Sequence, residues 1–299
     1  MKIAITGASG FVGENLKTYF NRGYDLELLK LRWGTEINSD LDVNTVIHLA
    51  GKAHDLRKVS KPSDYYESNF QLTKDLFNKF LESNASKFIY ISSVKAVSDI
   101  AVDSLSEDCI PNPQTHYGRS KLMAEEYIQS SILPIGKSFF ILRPCMIHGP
   151  GNKGNLNLLY QFVQKGIPYP LASFNNKRSF LSVANLCFVI NELIVQDGIS
   201  SGIYNVADDE SLSTVEVVKI LANFRTTKAR LWKISPKLIR LIAKFGDLLH
   251  LSLNTERLDK LTENYVVSNR KIISAINKPL PISTREGLEI TASSFKRSY

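Results

Sequence analysis

Tyr117 and Lys121 are four residues apart, and on a helix this spacing places both side chains on one face. A lysine ammonium beside a phenol favours the phenolate and lowers a pKa of about 10 toward neutral pH. Tyr117 is therefore a candidate general acid and base. About one Tyr-x-x-x-Lys match is expected by chance in a chain of this composition, so a surface tyrosine beside a solvated lysine is the alternative.

Two serines, Ser92 and Ser93, end a run of apolar residues that reads as a buried strand. Open α/β sheets bind ligands beyond the carboxyl ends of their strands, which is where a catalytic hydroxyl would lie. If they stood alone, these serines would only cap a turn from strand to loop.

Three glycines, Gly7, Gly10 and Gly13, directly follow the first apolar run and precede a helical pattern. Glycines there permit a tight turn and let the backbone approach a pyrophosphate at the helix N-terminus. The position predicts a dinucleotide loop rather than a turn with incidental glycines. The loop also contains the other predicted cofactor residues Ser9, Phe11 and Val12.

The choice of nicotinamide cofactor depends on the end of the second predicted strand. An NAD site of this kind uses Asp or Glu there to bind the adenosine ribose hydroxyls. This chain instead has Lys30 and Arg32, which could meet the 2′-phosphate of NADP. The residues therefore favour NADP over NAD, with a solvated basic strand end as the alternative.

These motifs belong to short apolar runs that alternate with segments of helical periodicity. Such alternation predicts an α/β fold, a Rossmann-like parallel sheet flanked by helices, with a smaller, mainly helical C-terminal lobe. We expect residues 1–150 and about 181–207 to form the cofactor lobe, and 151–180 and 208–299 the substrate lobe. Only about fourteen residues separate the second strand from the next, too few for a full crossover, so the sheet should be trimmed there. The predicted segments are strands at Lys2–Thr6, Leu26–Leu31, Thr45–Ala50, Lys87–Ser93, Ser138–Arg143 and Ile203–Val206, and helices at Tyr65–Ser83 and Tyr117–Ser131.

Composition excludes several classes of protein. The chain has 299 residues, 43% hydrophobic and 22% charged, which argues against a disordered chain, a fibre or a disulfide-stapled miniprotein. The nearly apolar stretch Leu186–Val195 is too short for a stable membrane span. Neither a Cys-x-x-Cys pair nor metal-ligand spacing is present, so we expect a cytoplasmic protein without a metal site. The three cysteines are Cys109, Cys145 and Cys187.

The net charge of +8 is concentrated near the C-terminus, where residues 225–299 hold 15 Lys and Arg against 6 Asp and Glu. Such a region could attract a phosphorylated small molecule, an anionic membrane surface or nucleic acid. Nucleic acid is disfavoured, because no RNA-binding motif or zinc finger is present. The segment Ser235–His250 is basic and amphipathic; we expect it to cover the substrate lobe rather than to touch a membrane.

The motifs together resemble the extended short-chain dehydrogenase/reductases, the nucleotide-sugar epimerase/dehydratase family, over almost the whole chain. The matching segments are TGASGFVG at 6–13, VIHLAG at 46–51, YESNFQLT at 66–73, ISSVKAV at 91–97, PQTHYGRSKLMAEEY at 113–127, LRPCMIHGPG at 142–151 and KRSFLSVANL at 177–186.

The resemblance implies a role for further residues. Ser93 takes the catalytic serine position, and Lys121 would hold the nicotinamide ribose. Arg178 and Arg257 match the arginines that meet the substrate diphosphate, and Asn155 is a further expected substrate contact. The remaining cofactor residues implied in this way are Leu49, Ala50, Gly51, Asn69 and Pro144.

The same resemblance implies NAD(P)-dependent oxidoreduction of a nucleotide sugar, carried by UDP. SSVKA, GPGNKGN and RSFLSV are most similar to bacterial 4-reductases of UDP-4-keto-6-deoxy-N-acetylhexosamines, which serve surface polysaccharide synthesis. Dehydratase chemistry is disfavoured, because Val94 and Lys95 stand where dehydratases place Asp and Glu. The alternatives are a UDP-glucose or UDP-N-acetylglucosamine 4-epimerase, a non-catalytic nucleotide sensor and a membrane-surface scaffold. Homodimers are usual among such relatives.

Overall fold

The structure is a computed structural model, which describes residues 1–21, 23–31, 33–34, 37, 40–52, 61–100, 104–152, 155–223, 229–248 and 254–296. Arg32 lies outside the described residues. The backbone of Asn155 and Arg257 is described, but their side chains are not, so these three predicted contacts stay predictions.

A parallel sheet of six strands forms the centre of the described molecule. Its order is β2-β1-β3-β4-β6-β9, and every neighbouring pair is parallel. The inner strands read as nearly continuous apolar runs because helices cover both faces of the sheet. The strands, including five outside this sheet, are β1 (Lys2–Thr6), β2 (Asp25–Leu29), β3 (Thr45–His48), β4 (Lys87–Ile91), β5 (Ser104–Leu105), β6 (Ser138–Pro144), β7 (Met146–His148), β8 (Arg178–Ser182), β9 (Gly202–Val206), β10 (Ser211–Leu212) and β11 (Val266–Val267).

Helices connect these strands and cover the sheet. One stretch departs from α geometry: Tyr66–Gln71 is a π-helical segment between two α-helices. The α-helices are α1 (Phe11–Phe20), α2 (Pro62–Tyr65), α3 (Leu72–Glu82), α4 (His116–Ser130), α5 (Asn155–Gln164), α6 (Val183–Val195), α7 (Thr214–Asn223), α8 (Pro236–Leu248), α9 (Thr255–Thr262), α10 (Arg270–Ile276) and α11 (Thr284–Lys296).

The strand order creates a crevice at the carboxyl ends of β1 and β3. From β1 the chain goes to β2 on one side and then returns to β3 on the other, which is a topological switch point. The short connection between β2 and β3 contains no helix in its described residues, and β2 is an edge strand of this sheet. The expected trimming of the sheet is therefore confirmed.

The C-terminal part adds a three-stranded sheet, β10-β8-β7, and most of the later helices. Ser213 and Glu216 form a capping box at α7: the Ser213 amide donates to Glu216 Oε2 and the Glu216 amide to Ser213 Oγ. Helix α8 packs on this part through Ile239 and Ala243, as expected of a covering helix. The lobe boundaries at 150, 181 and 207 stay predictions. Among the described helices, none has the length and apolar character to cross a membrane.

Candidate functional site

The glycine loop packs against the segment that follows β3. Gly7 has a φ of +68°, and a Cβ there would lie 2.6 Å from the Ala50 amide nitrogen. A Cβ on Gly13 would lie 2.5 Å from the Gly7 carbonyl oxygen, so the first turn of α1 lies against the loop itself. Gly10, by contrast, is exposed at the N-cap of α1. This exposed helix start fits a dinucleotide pyrophosphate.

Asn69, on the π-helical segment, fixes the backbone after β3. Its Oδ1 accepts from the Lys52 amide at 2.7 Å, and its Nδ2 donates to the Lys52 carbonyl at 3.1 Å and to Ser120 Oγ at 3.0 Å. A Cβ on Gly51 would lie 2.7 Å from Asn69 Oδ1. Asn69 thus joins the crevice loop to α4, and both of its amide atoms are satisfied by protein. Short π-helical segments are frequent at functional sites.

Beneath this loop, the buried His48 joins two threonines. Its Nδ1 lies 2.7 Å from Thr6 Oγ1 and its Nε2 lies 3.0 Å from Thr73 Oγ1. Burial lowers the pKa of His48 to about 3, with a smaller contribution from the positive charge of Lys121. The ring is therefore neutral at ordinary pH, and His48 is a structural core histidine.

Ser93, Tyr117 and Lys121 come together at the carboxyl end of β4. Tyr117 lies beside Ser93, whose hydroxyl lowers the pKa of the phenol. Ser93 Oγ also accepts from the Lys95 amide at 3.2 Å, which caps the 3-10 turn Val94–Ala96. Helix α4 begins close to this turn, because a Cβ on Gly118 would lie 2.3 Å from the Lys95 carbonyl oxygen. The serine and tyrosine are thus held by two directly packed backbone segments.

The electrostatics of Tyr117 differ from the sequence prediction. Burial raises the pKa of Tyr117, and the hydrogen bond from Ser93 opposes that effect only in part. The expectation that Lys121 depresses this pKa is therefore wrong in this structure. Lys121 Nζ instead donates to the Ile91 carbonyl at 2.9 Å and lies 4.8 Å from the centre of the Tyr90 ring. Burial lowers the pKa of Lys121 to about 8, against the opposing charge of Glu125.

A buried ion pair supports these residues from below. Arg143 on β6 donates through Nε and Nη2 to the carboxylate of Glu125 on α4, at 2.5–3.1 Å. Ser92, beside the candidate catalytic serine, also donates its hydroxyl to Glu125. The carboxylate therefore links β6 to α4, which carries Tyr117 and Lys121, and to the end of β4, which is followed by Ser93.

A cavity of about 240 Å³ lies over this cluster. It brings together six predicted residues from the loops after β3, β4 and β6 and from α4. Lys52, Ile91 and Ile147 also line it, although sequence reasoning missed them. The signal for Lys52 was its position directly after Gly51. The full lining is Leu49, Gly51, Lys52, Ile91, Ser92, Ser93, Tyr117, Lys121, Pro144, Cys145 and Ile147.

Two predicted residues lie apart from this cavity. Lys30 is exposed just beyond the end of β2, and no acid occupies positions 29–31. Arg178, at the start of β8, has its Nη2 3.7 Å from Glu263 Oε1. Burial lowers the pKa of Arg178, while the charge of Glu263 opposes that shift. Arg178 is thus a largely buried cation with an anionic partner.

Comparison with known proteins agrees with this geometry. The sequence model of the NAD-dependent epimerase/dehydratase family matches residues 3–207. The chain belongs to this family. It is therefore an enzyme that acts on nucleotide sugars with a nicotinamide cofactor. Among curated proteins in the family, the UDP-glucose 4-epimerase of Vibrio cholerae is 29% identical, over 98% of this chain and 95% of its own length.

Solved structures of the family share the fold over the full chain. The UDP-glucuronic acid 4-epimerase of Bacillus cereus, in complex with UDP-glucuronic acid and NAD, has a TM-score of 0.76 and 19% identity and covers 100% of both chains. RMD of Pseudomonas aeruginosa, complexed with NADPH, has a TM-score of 0.75 and 20% identity, covering 100% of this chain and 99% of its own. At these identities, the likeness establishes the fold.

Proposed function

We propose that this enzyme transfers hydride to C4 of a UDP-linked 4-keto-6-deoxy-N-acetylhexosamine, with Tyr117 as the acid and base. The observation that carries the proposal is that Ser93, Tyr117 and Lys121 line one cavity, with the Ser93 hydroxyl beside Tyr117. A sugar C4 oxygen in contact with both hydroxyls would have a proton donor and a second hydrogen-bond donor in place.

The crevice at β1 and β3 supplies the residues that would hold the cofactor. Gly10 and the N-terminus of α1 would receive the pyrophosphate, Lys121 the nicotinamide ribose, and Pro144 would lie against the nicotinamide. When bound, NAD(P) supplies the hydride that the sugar C4 accepts. The other residues assigned to the cofactor are Gly7, Ser9, Phe11, Val12, Gly13, Lys30, Arg32, Leu49, Ala50, Gly51, Asn69 and Tyr117.

The protein side of the reaction is a proton transfer at one oxygen. As C4 gains hydride, its carbonyl oxygen becomes an alkoxide and takes the proton from Tyr117 Oη, which gives the alcohol. The raised pKa of Tyr117 suits this direction, because burial keeps the proton on the phenol until it is needed. Ser93 Oγ would donate to the same oxygen and stabilise its developing charge.

The end of β2 supports the reductive direction. A reductase must exchange its cofactor at every turnover, whereas a 4-epimerase recovers it within the cycle. The exposed Lys30, with no acid at positions 29–31, suits the 2′-phosphate of an exchangeable NADP. Of the two neighbours compared above, RMD was solved with NADPH and the epimerase with NAD, so this fold can hold either cofactor.

The substrate diphosphate would lie against Arg178 and Arg257, with Asn155 as a further contact. Arg178 is already positioned by Glu263, at 3.7 Å, so a diphosphate would replace one anionic partner with another. UDP as the nucleotide, the cytoplasm as the location and a homodimer as the assembly complete the proposal.

Removal of water from the sugar, the dehydratase reaction, fits the structure poorly. Val94 is buried, and Lys95 Nζ donates to the Asp99 carbonyl at 2.7 Å and lies 4.4 Å from the centre of the Tyr265 ring. Neither residue at these two positions offers a carboxylate to abstract and return a proton at the neighbouring sugar carbons.

A UDP-sugar 4-epimerase is the second candidate. The 29% identity to the Vibrio cholerae UDP-glucose 4-epimerase, over nearly the full length of both chains, favours it. The same Tyr117 and Ser93 would then act twice on one substrate, first removing and then returning the C4 hydroxyl proton. The two candidates differ in whether added cofactor is consumed.

The deciding experiment follows NADPH, and separately NADH, by absorbance with UDP-4-keto-6-deoxy-N-acetylglucosamine. We expect stoichiometric loss of NADPH absorbance. The rate of this loss should be about 10²–10⁴-fold lower in Tyr117→Phe. Tyr127→Phe is the matched control, because it lies on the same helix with its hydroxyl bound to Asn78 Oδ1. Interconversion of UDP-glucose and UDP-galactose without added cofactor, and no NADPH consumption, would replace the reductase with the epimerase. Near-normal turnover in Tyr117→Phe would remove the mechanism for both.

A further inference from the structure

Helix α8, Pro236–Leu248, has three distinct faces, and one of them is buried against other described parts of the chain. The buried face is a narrow stripe of Ile239, Ala243 and Gly246. Helical spacing of three and four residues aligns these side chains toward the C-terminal part of the molecule. Ile239 and Ala243 join the apolar cluster of Tyr169, Leu171, Val218 and Leu258.

The second face is apolar and exposed. Five large side chains follow the spacing i, i+3, i+4, i+7 and i+10, and between 47% and 75% of each is accessible to solvent. At about 100° per residue, this stripe is centred roughly 130° around the helix from the buried one. Soluble monomers rarely expose contiguous apolar patches of this kind without a binding role. The five residues are Leu238, Leu241, Ile242, Phe245 and Leu248, and the nearby Trp232 is 57% exposed.

The third face is positively charged and lies between the other two. Lys237, Arg240 and Lys244 are all exposed there, and none makes an ion pair within the described part of the chain. The one acidic residue of the helix, Asp247, is engaged at the start of α9, where its Oδ1 accepts from the Thr255 amide at 2.9 Å. The apolar stripe is therefore bordered by three cations that make no ion pair within the described residues.

We propose that α8 docks this enzyme on the surface of an anionic lipid bilayer, with the helix axis parallel to the membrane plane. An exposed apolar stripe beside a row of lysine and arginine is the pattern of helices that insert one face at the level of the lipid headgroups. The bordering cations would lie among anionic headgroups, which attract them. A second copy of this chain is a poorer occupant, because pairing two such faces would bring unpaired cations together.

The test uses the full chain with a Trp33→Phe background, which leaves Trp232 as the single tryptophan reporter. Vesicles of phosphatidylethanolamine and phosphatidylglycerol are compared with vesicles of phosphatidylcholine. On the anionic vesicles we expect co-sedimentation, a blue shift of Trp232 emission and quenching by lipids brominated near the headgroup. Binding should weaken with salt, and should weaken about fivefold for each charge removed in Lys237→Gln, Arg240→Gln and Lys244→Gln.

The apolar contribution is tested with Leu241→Gln/Phe245→Gln, which should abolish the Trp232 shift and quenching while catalytic turnover in solution stays normal. Ile132→Gln/Ile135→Gln is the matched control, because these side chains are also highly exposed but lie far along the chain from α8. Equal binding to both vesicle types, or equal loss in the control, would overturn the proposal. The proposal would also be overturned if the Trp33→Phe protein did not bind vesicles and Leu241→Gln/Phe245→Gln changed its oligomeric state. The exposed apolar face would then be a protein interface.

Discussion

Arg143 Nη2 lies 2.5 Å from Glu125 Oε2, and both side chains are almost completely buried directly beneath the candidate catalytic residues. Such a pair gains little net stability over apolar residues of similar volume, because both charges lose their hydration. The ion pair instead fixes the position of its neighbours, because Glu125 also accepts a hydrogen bond from the hydroxyl of Ser92, next to Ser93. Breaking one half of the pair leaves the other charge buried without compensation.

We therefore expect Arg143→Met to lower the free energy of unfolding by about 3–5 kcal/mol, measured by urea denaturation. The double variant Glu125→Leu/Arg143→Met should recover much of this loss, because it leaves no unpaired charge. Lys17→Met is the control, since it breaks an exposed pair with Glu14 and should change stability by less than about 0.5 kcal/mol. Equal losses in the single and double variants would contradict this account.

The glycine loop allows a prediction that separates folding from cofactor binding. Gly13→Ala should lower the free energy of unfolding by about 1–3 kcal/mol, because its Cβ would meet backbone at 2.5–2.7 Å. Gly10→Ala meets only the Gly7 carbonyl, at 3.2 Å, and should fold normally while NADPH binding weakens about tenfold. Thermal unfolding and NADPH fluorescence measure the two effects. Gly23→Ala, with open space around its Cβ, should change neither.

The lowered pKa of His48 predicts that the free energy of unfolding decreases at acidic pH. The native pKa of about 3 lies below the ordinary value of 6.5, so between these pH values the unfolded chain binds a proton that the folded chain does not. The free energy of unfolding should therefore fall as the pH is lowered from 6.5 toward 3, by up to about 1.4 kcal/mol per pH unit from this group. His48→Gln should reduce that slope in urea titrations at several pH values. His116→Gln, at an exposed position, controls for the loss of a histidine as such.

The pKa of Lys121 predicts where kcat/KM for reduction declines at alkaline pH, which is the alkaline limb of the pH–rate profile. Because burial lowers its pKa to about 8, the ammonium is lost above that pH, and kcat/KM for reduction should decline there. The charge of Glu125 raises this pKa, so Glu125→Gln should move the limb to lower pH. Glu126→Gln removes an exposed carboxylate from the adjacent position and should leave the limb in place. A limb that does not move in Glu125→Gln would assign the titration to another group.

The strands and helices of the main sheet follow from the sequence because their apolar periodicity is strong. Predicted and observed bounds agree within two or three residues for β1, β3, β4, β6 and α4. The short β2–β3 connection predicted the trimmed sheet from chain length alone. The family resemblance located Asn69, but its two bonds to Lys52 depend on the close approach of Gly51, which no local pattern encodes.

The electrostatics could not be predicted in the same way. Spacing on α4 correctly placed Tyr117 and Lys121 near each other, but the sign of the Tyr117 pKa shift depends on burial. Burial in turn depends on residues distant in sequence, such as Tyr65, whose ring centre lies 6.3 Å from that of Tyr117. Likewise, amphipathicity predicted that α8 covers the C-terminal part, but not that its larger apolar face points elsewhere.

The π-helical segment Tyr66–Gln71 changes the direction in which side chains point along the helical run from Pro62 to Glu82. Each residue of a helix advances the side chains by about 100°, so one wider turn rotates everything that follows relative to everything before. Within the segment, Asn69 bonds the crevice loop; after it, Leu76, Phe77 and Phe80 enter the core. Deletion of one residue within the segment would force a choice between those two alignments.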